Sequence, residues 1–144
     1  LAKITNPRRE RGDLASALRH ADVFIGLSGP NLVSPAMVRL MERDASVFAM
    51  ANPTPEIMPA LARRAGAAVV ATGRSDFPNQ LNNAQVFPGV FRGALDNRVR
   101  AITDEMKLKA AQAIAALIPR PSPTNIAPHI FDRRLVKTVA AAIR

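Results

Sequence analysis

Two clusters of side-chain amides are the residues of this sequence best suited to hold a polar ligand. The first is Ala51-Asn-Pro-Thr-Pro-Glu56. Here Pro53 restricts Asn52 to extended backbone and removes a donor, so the Asn52 amide is presented at a strand end rather than absorbed in a helix. An amide offers both donors and an acceptor, which suits a carboxamide or a carboxylate. The second is Pro78-Asn-Gln-Leu-Asn-Asn83, with four amides within five residues. Amides can hold a carboxylate without adding charge. Taken alone, however, that run reads first as a hydrogen-bonded loop.

Other chemistry is sparse. No Gly-x-Gly-x-x-Gly is present, and Gly26-Leu-Ser-Gly29 holds only fragments of that phosphate-binding turn. His20 and His129 are far apart and in no metal-ligand spacing, and His20 reads as structural. The eleven carboxylates are dispersed; only Asp104 and Glu105 are adjacent, and these suit a helix N-terminus. The chain has no Cys and no Tyr, and its lysines are Lys3, Lys107, Lys109 and Lys137. Thiol chemistry, disulfides and Cys-based metal sites are therefore excluded, and candidates for a general acid or base are few. No catalytic set and no metal-ligand set is complete.

The elements that must position the amides are legible from hydrophobic pattern. Asp22-Val-Phe-Ile-Gly-Leu-Ser28, Ser46-Val-Phe-Ala-Met-Ala-Asn52 and Gly66-Ala-Ala-Val-Val-Ala-Thr-Gly73 recur at near-constant spacing. Their consecutive apolar residues predict parallel strands covered on both faces. Helices are predicted between them. Asp13 caps one that places Leu14, Ala17, Leu18 and Ala21 on a face, and Ser34-Pro35 opens another that buries Met37, Leu40 and Met41. Thr54-Pro55-Glu56 reads as a third start, with Ile57, Ala60 and Leu61 as its stripe and Gly66 as its end. The rhythm is that of an α/β fold.

Ligands of parallel sheets bind beyond the carboxyl ends of the strands. Those ends are Ser28-Gly29-Pro30-Asn31, Asn52-Pro53-Thr54-Pro55 and Thr72-Gly73-Arg74-Ser75-Asp76. A cleft for a polar ligand follows, although any one Ser, Asn or Thr there reads equally as a helix cap. Beyond the third strand, residues 74–83 read as an ordered loop. Thr103-Asp-Glu opens a helix with Met106, Ala110, Ala113, Ile114 and Leu117 on its apolar face, ended by Pro119. Pro121, Pro123 and Pro128 form an extended connector, and Asp132 caps a last helix through Leu135, Val136, Val139 and Ile143.

The 144 residues suit one domain by size, and the formal charge is +9, with 16 Arg among 20 basic residues. The charge admits an alternative, a non-catalytic basic module for nucleotides or nucleic acid. Against nucleic acid, the basic residues are scattered and the six Phe are not interleaved with them. Uncharged runs such as Ala110 to Ile118 fall well short of the roughly 18 to 20 residues that cross a bilayer, so the chain is expected to be soluble. It opens on Leu1 rather than Met.

Asp22-Val-Phe-Ile-Gly-Leu-Ser28, Phe48-Ala-Met-Ala-Asn-Pro-Thr-Pro-Glu-Ile57, Gly73-Arg-Ser-Asp-Phe-Pro-Asn-Gln-Leu-Asn-Asn83 and Phe87-Pro-Gly-Val-Phe-Arg-Gly-Ala-Leu-Asp96, in this order, resemble bacterial malic enzymes. The resemblance runs from about Leu14 to Arg144. It implies that residues 1–144 are the C-terminal portion of the NAD(P)-binding domain, a partial Rossmann-type parallel sheet with flanking and C-terminal helices. Such enzymes oxidise malate with NAD or NADP and decarboxylate the product to pyruvate, using Mg2+ or Mn2+. By resemblance Ser28, Gly29, Asn52 and Asn82 are cofactor-binding and Asn83 is substrate-binding. The general acid, general base, metal ligands and glycine-rich turn of the family match nothing here and are expected upstream. A cytoplasmic protein is expected, with a fragment that does not turn over malate by itself, and the apolar sheet edge left by the missing half favours a homo-oligomer or partner contact.

Overall fold

A computed structural model of the chain describes residues 4–144, so Lys3 lies outside the described residues. The elements are α1 (Leu14–Leu18), β1 (Val23–Gly26), α2 (Pro35–Val38), β2 (Ser46–Ala49), α3 (Pro59–Arg64), β3 (Val69–Thr72), a 3-10 turn (Asn83–Gln85), α4 (Phe87–Asp96), α5 (Asp104–Ala115) and α6 (Leu135–Ala142). The three parallel strands form one sheet in the order β1-β2-β3, with Val23 opposite Ser46 and Gly26 opposite Ala49. The expected α/β class and all three strands are present. The chain divides into two units, the first ending at Val70 and the second beginning at Ala71.

In the first unit the caps behave as the residue types require. The Asp13 carboxylate accepts from the Ser16 N–H at 2.8 Å, and the Ser34 hydroxyl accepts from the Met37 N–H ahead of Pro35. Leu18, Val38, Met41, Val47, Ala49, Ile57, Ala62 and Val70 share one buried core, with Phe24 packed against it. Two expectations are corrected. Phe24 and Val47 are register partners on the covered face, whereas Val23, Ile25 and Leu27 follow the other face of β1 and are 49%, 60% and 76% exposed. The edge strand is thus covered on one face only. Further, Thr54-Pro55-Glu56 does not start a helix. The helix begins at Pro59 after Met58, and it buries Pro59 and Ala62 while Ala60 and Leu61 are exposed. A helix cannot accommodate residues held extended before successive prolines, so Pro55 and Pro59 delay its start.

In the second unit the Thr103 hydroxyl accepts from the Met106 N–H, opening α5, and Ala110 is buried against Val90, Leu135, Val139 and Ile143. Asp132 does not cap α6 directly; its carboxylate accepts from the Arg134 N–H and the helix begins at Leu135. Helix α4 carries no helix signal strong enough to read, because Gly89 and Gly93 each weaken a helix by about 1 kcal/mol relative to Ala. Their reason is close packing on α6. A Cβ at Gly89 would stand 2.5 Å from the Val139 Cβ, and one at Gly93 would stand 2.5 Å from the Ala140 carbonyl oxygen. No helix among the described residues is long and apolar enough to cross a membrane.

Candidate functional site

The strand-end loops of the first unit are organised by Glu56. Its side chain is fully buried. One carboxylate oxygen accepts from the Ser28 N–H at 2.8 Å and lies 3.4 Å from the Ser28 hydroxyl; the other accepts from the Ala51 N–H at 3.1 Å. Two loops that leave different strands are thereby tied to one side chain. The backbone adds two more links, Asn31 N–H to the Pro55 carbonyl and Val33 N–H to the Glu56 carbonyl, at 3.1 and 2.9 Å. Gly26 makes the arrangement feasible, since a Cβ there would stand 2.5 Å from the Glu56 carboxyl carbon. The carboxylate that pattern reading places in a helix's first turn is instead the anchor of the sheet's carboxyl edge.

Ser28 and Asn52 are exposed on these anchored loops, and Gly29 is half-buried. The Asn52 amide finds no hydrogen-bond partner among the described residues, and the peptide bond from Asn52 to Pro53 is cis. The Asn52 side chain keeps its full donor and acceptor capacity next to the anchored Ala51 N–H. A Cβ built at Gly29 would find its nearest neighbour, Leu32 Cδ1, at 3.8 Å, so the backbone there is open to close approach.

In the second unit the amide run divides by task. The buried Asn79 donates to the Pro123 carbonyl at 2.8 Å and accepts from the Ile126 N–H at 3.0 Å, which holds the proline-rich connector. Gln85, also buried, accepts from the Asn82 N–H and donates to the carbonyls of Gln80 and Pro128. Asn82 caps the 3-10 turn, accepting from the Ala84 N–H at 3.0 Å and donating to the Gly73 carbonyl at 3.0 Å. One amide hydrogen of Asn82 has no partner in that scheme. Asn83 stands apart: it is exposed and its amide finds no partner among the described residues. The loop that reads as internally hydrogen-bonded is so at Asn82, is tied to the proline-rich connector at Asn79, and leaves the side-chain amide of Asn83 free.

Glu56 and Gln85 are the loop-anchoring residues that the sequence pattern does not reveal. Gln85 had a signal, because Asn82-x-x-Gln85 is a capping-box spacing and both reciprocal bonds form. Glu56 had only the prolines around it.

The ionic groups near the third strand end are at the surface. The Arg74 side chain donates to Asp76 at 2.8 and 2.7 Å, which holds the Asp76 carboxyl below its ordinary range and raises the Arg74 guanidinium. His20 pairs with Glu42 at 2.7 Å, at the surface of the first unit. Among the described residues no three His, Cys, Asp or Glu gather where a metal ion could be held, so these residues do not fit a divalent cation. A nucleotide fits better. The open backbone at Gly29, the Ser28 hydroxyl and the unpartnered Asn52 amide are neutral polar groups at the sheet edge where nucleotides bind.

Comparison with known proteins places the chain. Residues 3–144 match the family described as "Malic enzyme, NAD binding domain". The chain is similar to the bifunctional malic/malolactic enzyme of Bacillus subtilis, at 51% identity over 99% of this chain and 35% of that protein. It is similar also to the NAD-dependent malic enzyme of Geobacillus stearothermophilus, at 49% identity over 99% of this chain and 30% of that one. The crystal structure of an NAD-dependent malic enzyme from Thermotoga maritima superposes with a TM-score of 0.94 at 49% identity, covering 99% of this chain and 37% of that one. The chain spans about a third of the length of the curated relatives it matches.

Proposed function

The chain belongs to the malic enzyme family, matching its NAD-binding domain, and from that premise we propose that it is the C-terminal portion of the nucleotide-binding domain of an enzyme that oxidises malate. The observation that carries the reading is the pair of exposed, unpartnered amides, Asn52 and Asn83, each on a loop locked by a buried polar side chain. Preorganised neutral amides orient a polar ligand at low entropic cost, because the backbone beneath them is already fixed.

Ser28, Gly29 and Asn52 hold NAD or NADP in this reading, and Asn82 is a further cofactor-binding residue through its remaining amide hydrogen. When bound, the nicotinamide supplies a hydride acceptor for the malate carbinol carbon. Asn52 orients the cofactor's carboxamide through its paired donor and acceptor. Asn83 donates to a malate carboxylate, adding no positive charge that would oppose departure of carbon dioxide. Gly29 lets the cofactor approach the backbone, and Glu56 and Gln85 hold their loops in place.

No residue of this chain is assigned as general acid, general base or metal ligand. Those parts, including the holders of Mg2+ or Mn2+, are proposed to stand upstream in the complete enzyme, and the 144-residue chain by itself is proposed to be inactive. The complete enzyme is proposed to be a cytoplasmic homo-oligomer that converts malate to pyruvate. The exposed apolar face of β1 supports the need for a covering surface.

The test is malate-dependent reduction of NAD+ and NADP+ by the complete enzyme and by the 144-residue chain. Turnover by the first and none by the second is the expected outcome. Malate-dependent turnover by a sequence-verified 144-residue chain overturns the assignment of the catalytic groups to the missing part.

A further inference from the structure

We infer that Glu56 is a positioning residue for the nicotinamide nucleotide: its buried carboxylate fixes the Ser28 and Asn52 loops in the conformation that binds the cofactor. The inference rests on the functional reading above and deepens it at the same site. Glu56 is fully buried and forms none of the ion pairs seen among the described residues. A buried carboxylate without a cationic neighbour is retained only where its hydrogen bonds replace lost hydration. Here those bonds run to the Ser28 N–H at 2.8 Å and the Ala51 N–H at 3.1 Å. Ala51 immediately precedes Asn52, and Ser28 immediately precedes Gly29, so the two bonded amides adjoin the cofactor-facing residues.

The geometry separates this role from plain core filling. An apolar side chain of similar volume would fill the space but leave both N–H groups without an acceptor. The acceptor must also be double, since the two donors engage different oxygens. A glutamine offers one acceptor and turns its NH2 toward the other donor. Gly26 supplies the matching vacancy, with no Cβ to displace the carboxyl group. Glu56 therefore couples the exits of β1 and β2 through its side chain, and losing either bond removes the side-chain tie of one loop while the backbone links from Asn31 and Val33 remain.

Two measurements test the inference. The first is amide hydrogen exchange of the unaltered chain, which is independent of whether any variant folds. Ser28 is exposed, yet its amide and that of Ala51 are expected to exchange at least about tenfold more slowly than unprotected amides. Unprotected exchange at both overturns the inference. The second is Glu56→Gln in the complete enzyme. It is expected to raise the nucleotide KM about tenfold or more, with the malate KM at saturating nucleotide changed less than about threefold. Folding is checked by retained protection of the β2 amides. An unchanged nucleotide KM in a folded Glu56→Gln enzyme overturns the inference, as does an equal rise in both KM values. If the unaltered complete enzyme fails to oxidise malate, the functional reading falls, while Ser28 and Ala51 protection with loss of at least one of the two on Glu56→Gln still sustains the anchoring of the loops.

Discussion

The two units solve the same problem with different chemistry. Each presents an asparagine on a loop and fixes its loops with buried polar side chains. The first unit uses a carboxylate, Glu56, that accepts from two backbone N–H groups; the second uses neutral amides, Gln85 and Asn79, that both donate and accept. The difference follows from what each loop leaves unsatisfied. To Glu56 the exits of β1 and β2 offer donors alone, whereas the proline-rich connector offers the Pro123 and Pro128 carbonyls, whose prolines have no N–H to give, beside the Ile126 N–H. An acceptor with two oxygens suits the first case and an amide suits the second.

If that comparison holds, removing the carboxylate is the most damaging single change. Glu56→Ala leaves two buried donors without acceptors and opens a cavity, and a loss of about 3 to 4 kcal/mol of stability is expected in denaturant titrations. Gln85→Ala removes three bonds of a neutral group and is expected to cost about 2 to 3 kcal/mol, and Asn79→Ala, which loses both ties to the connector, about 2 kcal/mol. Equal losses for Glu56→Ala and Asn79→Ala would erase the distinction between the two anchors.

Gly89→Ala and Gly93→Ala push a methyl group to 2.5 Å from α6 atoms and are expected to cost about 1 to 3 kcal/mol each, although alanine is the better helix former. A gain in stability at either position would show that α4 and α6 can separate without loss.

The presented asparagines should behave in the opposite way. Asn52→Ala and Asn83→Ala remove no internal hydrogen bond and are expected to change stability by less than about 0.5 kcal/mol in the same titrations.

The smallest effect concerns a surface pair of the second unit. Hydrogen bonds from the Arg134 side chain, then from its backbone N–H, lower the Asp132 carboxyl from 3.8 to about 2. A carboxyl with a folded-state pKa below its unfolded value stabilises fully above the unfolded value and loses that contribution as pH falls. The Tm of the unaltered chain should therefore decline through this pair between pH 3.8 and about 2, and Asp132→Asn should lack that part of the decline.

Much of the fold was legible because strands and caps are local. The apolar runs ending at Ser28, Asn52 and Gly73, and the caps Asp13, Ser34 and Thr103, depend on neighbouring residues alone. What escaped depends on partners distant in sequence. Helix α4 exists because Gly89 and Gly93 meet α6 about fifty residues later, against their own propensity. Glu56 looks like a helix-opening carboxylate until its bonds to Ser28 and Ala51 are seen. The open face of β1 likewise reflects what covers it, which an apolar run cannot state. In the candidate site, the residue types were readable, but the division between Asn82, which caps, and Asn83, which is free, was not.

The central claim is that the free amides of Asn52 and Asn83 serve malate oxidation rather than the fold. Steady-state kinetics of malate-dependent NAD(P)+ reduction, in the complete enzyme with Asn52→Ala and Asn83→Ala, tests it directly. A fall in kcat/KM of at least about tenfold in each, about 1.4 kcal/mol of transition-state stabilisation, is the predicted result. Unchanged kcat/KM in both variants would contradict it.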